Sequence, residues 1–350
     1  MTTGGPEGVD LASLRTFFAD HVEGADDRPL SAELIAGGRS NLTYCISDGE
    51  RDWVLRRPPL GHVLPTAHDM GREYRVLTAL ADTDVPVPRT FAFCEDVDVN
   101  GAPFYVMERV HGRILRTGED MVSLTKEQAA ACSRQLVDVL GRIHRVDYDA
   151  VGLGGFGHPD GFMERQVRRW GEQWERSKAG ELPEIDELGR RLRNAVPESG
   201  PPAIVHGDYR LDNTMLAEDD PGRIVAVLDW EMSTLGDPLA DLGLFLLYWG
   251  QADAQIIATG QTIEEQAGFA SRDEIVEMYA KETGRSVDNL DFYVVFAFYK
   301  LAIIVEGIAA RYRMGKTLGE GFEHMGQMVS SLVSEALDQA NRSSIPALRG

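Results

Sequence analysis

His206-Gly207-Asp208-Tyr209-Arg210-Leu211-Asp212-Asn213 is followed, after the apolar run Ile224 to Leu228, by Asp229-Trp230-Glu231. Asp208 and Asn213 lie five residues apart on a polar loop that the short apolar stretch Ala203-Ile204-Val205 enters. An Asp and an Asn at that spacing can point one at a nucleophile and the other at a metal. An Asp at the end of the next hairpin strand, here Asp229, supplies a second metal ligand. Phosphoryl transfer from a nucleoside triphosphate needs few parts beyond these. A carboxylate orients or deprotonates the attacking hydroxyl, hard oxygen ligands hold one or two Mg2+ ions, and cations offset the charge of the transferred group. An Asp or Asn in a turn is commonly turn chemistry alone; the order and spacing of all three point to a site.

Outward from this stretch the chain changes character. Leu11 to Val22 has apolar residues at helical spacing. Leu34-Ile35, Leu42 to Ile46, Trp53 to Arg56, Phe91 to Glu95 and Phe104 to Met107 read as short strands. Turns at Asp48-Gly49 and Asn100-Gly101 separate them, and a helix over Met70 to Leu80 enters after the third. After Val110-His111-Gly112 long helical patterns dominate: Lys126 to Arg145, Gly161 to Lys178, and almost everything beyond Leu239. The predicted fold class is α+β, in two lobes with a cleft between them: residues 1–110 a nucleotide-binding small lobe, 111–350 a helical catalytic lobe.

The wording of residues 206–216 and 227–243 resembles the catalytic and metal-binding loops of the aminoglycoside phosphotransferase and choline kinase superfamily, which shares the protein-kinase fold. It is especially similar to the kinase-like domains of acyl-CoA dehydrogenase family proteins and their free-standing bacterial relatives. The resemblance runs from about Leu34 past Asp241. It implies ATP and Mg2+ as cofactors, Asp208 as base or orienter, and Asn213 and Asp229 as metal ligands. It also implies that His206 supports the loop and that Asp241 braces it from beneath. Arg210 stands where related enzymes carry a residue facing the transferred phosphate; a loop salt bridge to Asp212 is the other reading. Glu231 is open between a water-mediated metal contact and a packing role.

A kinase-like small lobe wants a cation on its third strand, held by a helix carboxylate. Arg56 and Glu73 supply the pair, arginine standing where lysine is commoner. Strand alternation sends Arg57 to the opposite face, and Arg56 shares its face with Val54. Residues 37–41 resemble the nucleotide-covering loop, with Gly38, Ser40 and Asn41 near the phosphates. Backbone groups of Glu108 and Val110 are expected to meet the adenine edge. Gly315-Lys316-Thr317 ends like a phosphate-binding loop, but Ala310 stands at the first required glycine, so it reads as an inter-helix turn. Trp170, Trp174 and Trp249 are expected in the core, unless the stretch 161–195 lines the acceptor pocket.

A formal charge of −21 excludes nucleic acid as an expected partner. The three cysteines, Cys45, Cys94 and Cys132, are widely spaced and read as reduced thiols. Phe292 to Ala310 is apolar, but Lys300 and Glu306 interrupt it, so a buried helix is expected rather than a membrane span. With no basic-then-apolar leader visible, a cytoplasmic location is expected. The expected partner is a small-molecule hydroxyl acceptor: an aminoglycoside, an amino alcohol, a sugar or a hydroxyacyl thioester. Oligomeric state is left open. A catalytically silent nucleotide-binding regulatory module and a metal-dependent hydrolase are the competing readings. The intact triplet opposes the first, and the Arg56–Glu73 pair has no job in the second.

Overall fold

The computed structural model describes residues 5–37, 41–61, 69–178, 180–250, 263, 267–313 and 325–350. The chain divides into two compact units: Met1–Ile114 with Asp149–Leu153 and Asp212–Ser233, and Leu115–Tyr148 with Gly154–Leu211 and Thr234–Gly350. The candidate loops 38–40 and 315–317 lie outside the described residues.

In the first unit, helix α1 (Leu11–His21) starts at Asp10, whose carboxylate accepts from the Ala12 and Ser13 amides. Such a cap satisfies N–H groups that the first turn cannot. Strands β1 (Ser31–Gly37), β2 (Leu42–Ser47) and β3 (Asp52–Arg57) follow. In the β2–β3 turn the Asp48 carboxylate accepts from the Glu50 and Arg51 amides. Gly49 there takes a φ of 88°, which a side chain would oppose. Helix α2 (Met70–Leu80), capped by Asp69, precedes β4 (Thr90–Cys94), the short helix α3 (Val97–Asn100) and β5 (Phe104–Glu108). The sheet is antiparallel with order β1-β2-β3-β5-β4. Leu14 and Phe18 of α1 pack on one face with Tyr44, Ile46, Trp53, Leu55, Phe104 and Val106. This is the small five-stranded sheet with one helix after the third strand that the sequence predicts; α3 occupies the ground where only a turn is expected.

The second unit opens with α4 (Gly118–Val122) and α5 (Lys126–Arg145), each begun by a reciprocal capping box. Helices α6 (Phe162–Ser177) and α7 (Pro183–Asn194) and the short strand β6 (Ala203–Val205) come next. The segment that returns to the first unit forms a hairpin of β7 (Thr214–Leu216) and β8 (Ile224–Val227). Strand β9 (Thr234–Gly236) then pairs antiparallel with β6. Helices α8 (Leu239–Gly250), α9 (Arg272–Thr283), α10 (Leu290–Arg313), α11 (Met325–Arg342) and α12 (Pro346–Arg349) complete the chain.

Helix α10 packs against α6, α7, α8 and α11. A Cβ on Gly243 of α8 would stand 2.7 Å from the Tyr293 backbone, so only glycine lets these two helices approach this closely. Among the described residues α10 alone is long and apolar enough to cross a membrane, with mean hydropathy 1.8 over its most apolar window and 78% of that window buried. Its acid Glu306 is buried and paired with Arg313.

Candidate active site

The first unit gathers most of the predicted residues. Arg56 sits on β3 between Thr43 of β2 and Tyr105 of β5. Its Nε lies 3.1 Å from Glu73 Oε2, and its Nη2 donates to Asp229 Oδ1 at 2.5 Å. The Glu73 side chain is 1% exposed, Arg56 11% and Asp229 29%. One guanidinium therefore holds two carboxylates, one closed off from solvent and the other open to it. Burial works against the Arg56 charge, but Glu73, Tyr105 and Asp229 outweigh it, so the guanidinium is held protonated. Burial pushes the Glu73 carboxyl upward, opposed by Arg56. Arg57, on the alternate face, is buried rather than solvated, and donates to the carbonyls of Gly8 and Asn100.

Asp229 reaches this point through the β7–β8 hairpin. Thr214 opposes Val227 in its register, and Leu228 N–H donates to Asn213 O at 2.8 Å. Asn213 and Asp229 thus leave the same end of the hairpin. Asp229 has φ 65° and ψ 60°, and is the one non-glycine residue with positive φ among those described. Asp tolerates the left-handed region better than most residues, and such backbone strain clusters at functional sites. The turn is pinned behind it by buried Trp230, whose indole donates to Val227 O at 3.0 Å. Arg72 of α2 donates from Nε and Nη2 to Ser233 O at 3.2 and 2.9 Å, tying the helix that bears Glu73 to the Asp229 turn. The sequence offered no signal for that contact beyond a basic residue beside Glu73.

Asn41 is 4% exposed, and its amide donates to Glu231 Oε2 at 2.9 Å. This gives Glu231 a partner on the β2 side and leaves Asn41 an anchoring contact. Gly38 and Ser40 lie outside the described residues. At the end of β5 the Glu108 N–H donates to Arg89 O at 2.8 Å, so that donor is engaged within the protein. Val110 is half-buried. Beyond it a Cβ on Gly112 would stand 2.5 Å from Leu216 O, while Arg113 and Leu216 exchange backbone hydrogen bonds.

The second unit carries Asp208 and Arg210. Asp241, at the start of α8, is fully buried and accepts from His206 N–H at 2.6 Å and Gly207 N–H at 2.8 Å. Asp208 N–H in turn donates to His206 Nδ1 at 3.2 Å. The loop is held by its own backbone before any ligand is considered. Tyr209 packs edge-on to His206 and donates to Leu136 O at 2.8 Å. Arg210 Nε lies 3.8 Å from Asp208 Oδ2, and its guanidinium stacks over the Tyr248 ring at 4.8 Å. Asp208 is thus within ion-pair distance of Arg210. Trp174 and Trp249 are core residues with their indoles bonded to Asp186 and Ala270 O. Trp170 departs from expectation: it is only half-buried, with Lys300 over its ring at 5.7 Å.

Beneath the loop, His144 Nε2 lies 3.3 Å from Asp241 Oδ2, and Nδ1 meets the Tyr279 hydroxyl at 2.8 Å. Burial lowers the His144 pKa below its ordinary 6.5. Burial also opposes charge on Asp241, but His144, His206 and the Gly207 amide hold its carboxyl below the usual range. A folded pKa below the unfolded one means the unfolded chain binds the proton first. Stability is therefore expected to be full above about pH 6.5 and to fall below it, with a slope of up to about 1.4 kcal/mol per pH unit from this histidine. Denaturant unfolding between pH 5 and 8 checks this: His144→Gln should flatten the dependence, and an unchanged slope would place its source elsewhere.

Among the described residues no group of three or more His, Cys, Asp and Glu side chains converges as a metal cage. Mg2+ does not need one, because it commonly takes one or two protein oxygens and completes its shell with phosphate and water. Asn213 and Asp229, both hard oxygen donors at one hairpin end, fit that use.

The sheet-and-helix plan and these loops define a protein-kinase-like architecture. The chain belongs to the phosphotransferase enzyme family, whose pattern matches residues 31–275. It is 34% identical over 340 residues to acyl-CoA dehydrogenase family member 11 of Rattus norvegicus, covering 95% of this chain and 43% of that protein. Member 10 of Mus musculus is 34% identical over 332 residues, covering 94% of this chain and 30% of that one. The chain thus spans less than half the length of either relative. A crystal structure from Ralstonia eutropha, described as a candidate aminoglycoside phosphotransferase, superposes with a TM-score of 0.84 at 33% identity, covering 96% of this chain and 99% of that one. The ternary complex of aminoglycoside phosphotransferase APH(4)-Ia with AMP-PNP and hygromycin B shares the fold at 14% identity, with a TM-score of 0.61, covering 95% of this chain and 100% of that one.

Proposed function

We propose that this chain is an ATP- and Mg2+-dependent phosphotransferase that moves the γ-phosphoryl group to a hydroxyl of a small molecule. The observation that carries the reading is the contact of Arg56 with both Glu73 and Asp229. A strand cation locked by a helix carboxylate is the kinase device for the α- and β-phosphates, and its second partner is the carboxylate assigned to the metal. Residues 1–110 would hold the nucleotide, with Arg56 on its phosphates, Gly38, Ser40 and Asn41 in the covering loop, and Val110 and the Glu108 carbonyl toward the adenine. Asn213 and Asp229 would hold Mg2+, which would supply positive charge to offset that of the phosphates. Asp208 takes the proton of the attacking hydroxyl, and Arg210 steadies the Asp208 carboxylate until phosphate charge develops. The cytoplasm, where ATP is abundant, is the proposed compartment.

For the acceptor, the similarity to acyl-CoA dehydrogenase family members supports a hydroxyacyl thioester or an amino alcohol over an antibiotic. Incubation with ATP and Mg2+ and a panel of hydroxylated acceptors, followed as ADP release and by 31P NMR of the product, tests this. A new phosphate-ester resonance with one acceptor class is expected. ADP release with none of the classes would contradict the reading.

A further inference from the structure

Lys300 lies midway along α10, a helix whose other members are mostly apolar and buried. Its Nζ donates to Gly207 O at 3.4 Å and stands 5.7 Å from the centre of the Trp170 ring. A partly buried ammonium in an apolar helix is costly unless its charge is used. The cation–π contact with Trp170 of α6 offsets part of that cost. Gly207 has a φ of 86°, and its N–H is held by Asp241 Oδ1 at 2.8 Å. The carbonyl that Lys300 holds belongs to the peptide leading directly into Asp208. Asp241 and Lys300 therefore grip the two polar groups of Gly207, one from α8 and the other from α10.

We propose that Lys300 is a positioning residue for Asp208, acting through the Gly207 carbonyl and through its own charge. The inference rests on the reading of Asp208 as the base. The charged groups that act on Lys300 come from three elements: Asp208 of the loop, Asp241 of α8 and Arg169 of α6. Burial presses its ammonium below the ordinary range, while Asp208 and Asp241 oppose that and Arg169 adds to it. The attraction is mutual. A cation beside the carboxylate favours the ionised form of Asp208, the form able to accept a proton. His206, whose Nδ1 accepts from Asp208 N–H, and Arg210, 3.8 Å from its carboxylate, also bear on Asp208.

The test is a 13C-detected NMR titration of the aspartate carboxyls in the full chain, with the Asp208 signal assigned by its loss in Asp208→Asn. In Lys300→Met and Lys300→Gln the Asp208 midpoint should rise by about one unit or more. Lys300→Arg, which keeps the charge, should restore it. The acidic limb of kcat/KM for ADP release from ATP and Mg2+, with water as acceptor, should move the same way. An Asp208 midpoint unchanged in both neutral variants, with wild-type circular dichroism, would overturn the proposal. Wild type that releases no ADP with water or with any of the hydroxylated acceptors would count against the phosphotransferase reading instead, and the titration would still decide the role of Lys300.

Discussion

Asp208→Ala is expected to lower phosphoryl transfer by about 10²- to 10⁴-fold, the usual contribution of a positioned general base. Binding of ATP and Mg2+ should be nearly unchanged, because nothing assigned to the nucleotide or the metal is removed. The loop itself should survive the substitution. Its shape is set by Asp241 accepting from His206 and Gly207 and by Tyr209 donating to Leu136 O, none of which uses the Asp208 carboxylate. A loss confined to kcat, with nucleotide affinity retained, is the signature to look for. Retained turnover in the variant would remove Asp208 from the mechanism.

Arg56→Ala should act on stability as well as on activity. Glu73 is fully buried, and Arg56 is the cation that faces it. Removing one partner of a buried ion pair leaves an uncompensated charge and typically costs about 3–5 kcal/mol. A large fall in the denaturation midpoint is expected, together with loss of nucleotide binding. Glu73→Gln in the same chain should recover part of the stability, since the stranded carboxylate is then neutral, but not the binding. A double variant no more stable than Arg56→Ala alone would show that the pair does not account for the loss.

Much of the fold was legible because its signals are local. β2 and β3 are short apolar runs on either side of an Asp-Gly turn, and α2 and α5 keep helical spacing behind recognisable caps. What escaped depends on partners distant in sequence. Strands β7 and β9 have three residues each, too few for any periodicity to register. Their pairing also sends the chain out of one compact unit and back, which no local pattern encodes. Helix α7 begins at Pro183 without a side-chain cap, so the proline is the local signal of its start.

The site divides along the same line. Arg56 and Glu73 could be paired on paper because strand alternation and helix position are both local rules, and they stand 3.1 Å apart. The direct bond of Arg56 to Asp229, the Asn41–Glu231 link and the grip of Lys300 on Gly207 join residues far apart in the chain. Lys300 entered the sequence reading only as a break in an apolar run. Its neighbours Trp170 and Gly207 supply the meaning.

The most direct measurement is a thermal-shift titration with ATP, with and without Mg2+, on wild type and Asp229→Ala. A ligand that binds only the folded chain stabilises it by about 2.7 kcal/mol at a hundredfold excess over Kd. The account predicts a magnesium-dependent rise in the wild-type midpoint that Asp229→Ala abolishes. No rise at millimolar ATP, or an equal rise in the variant, would contradict it.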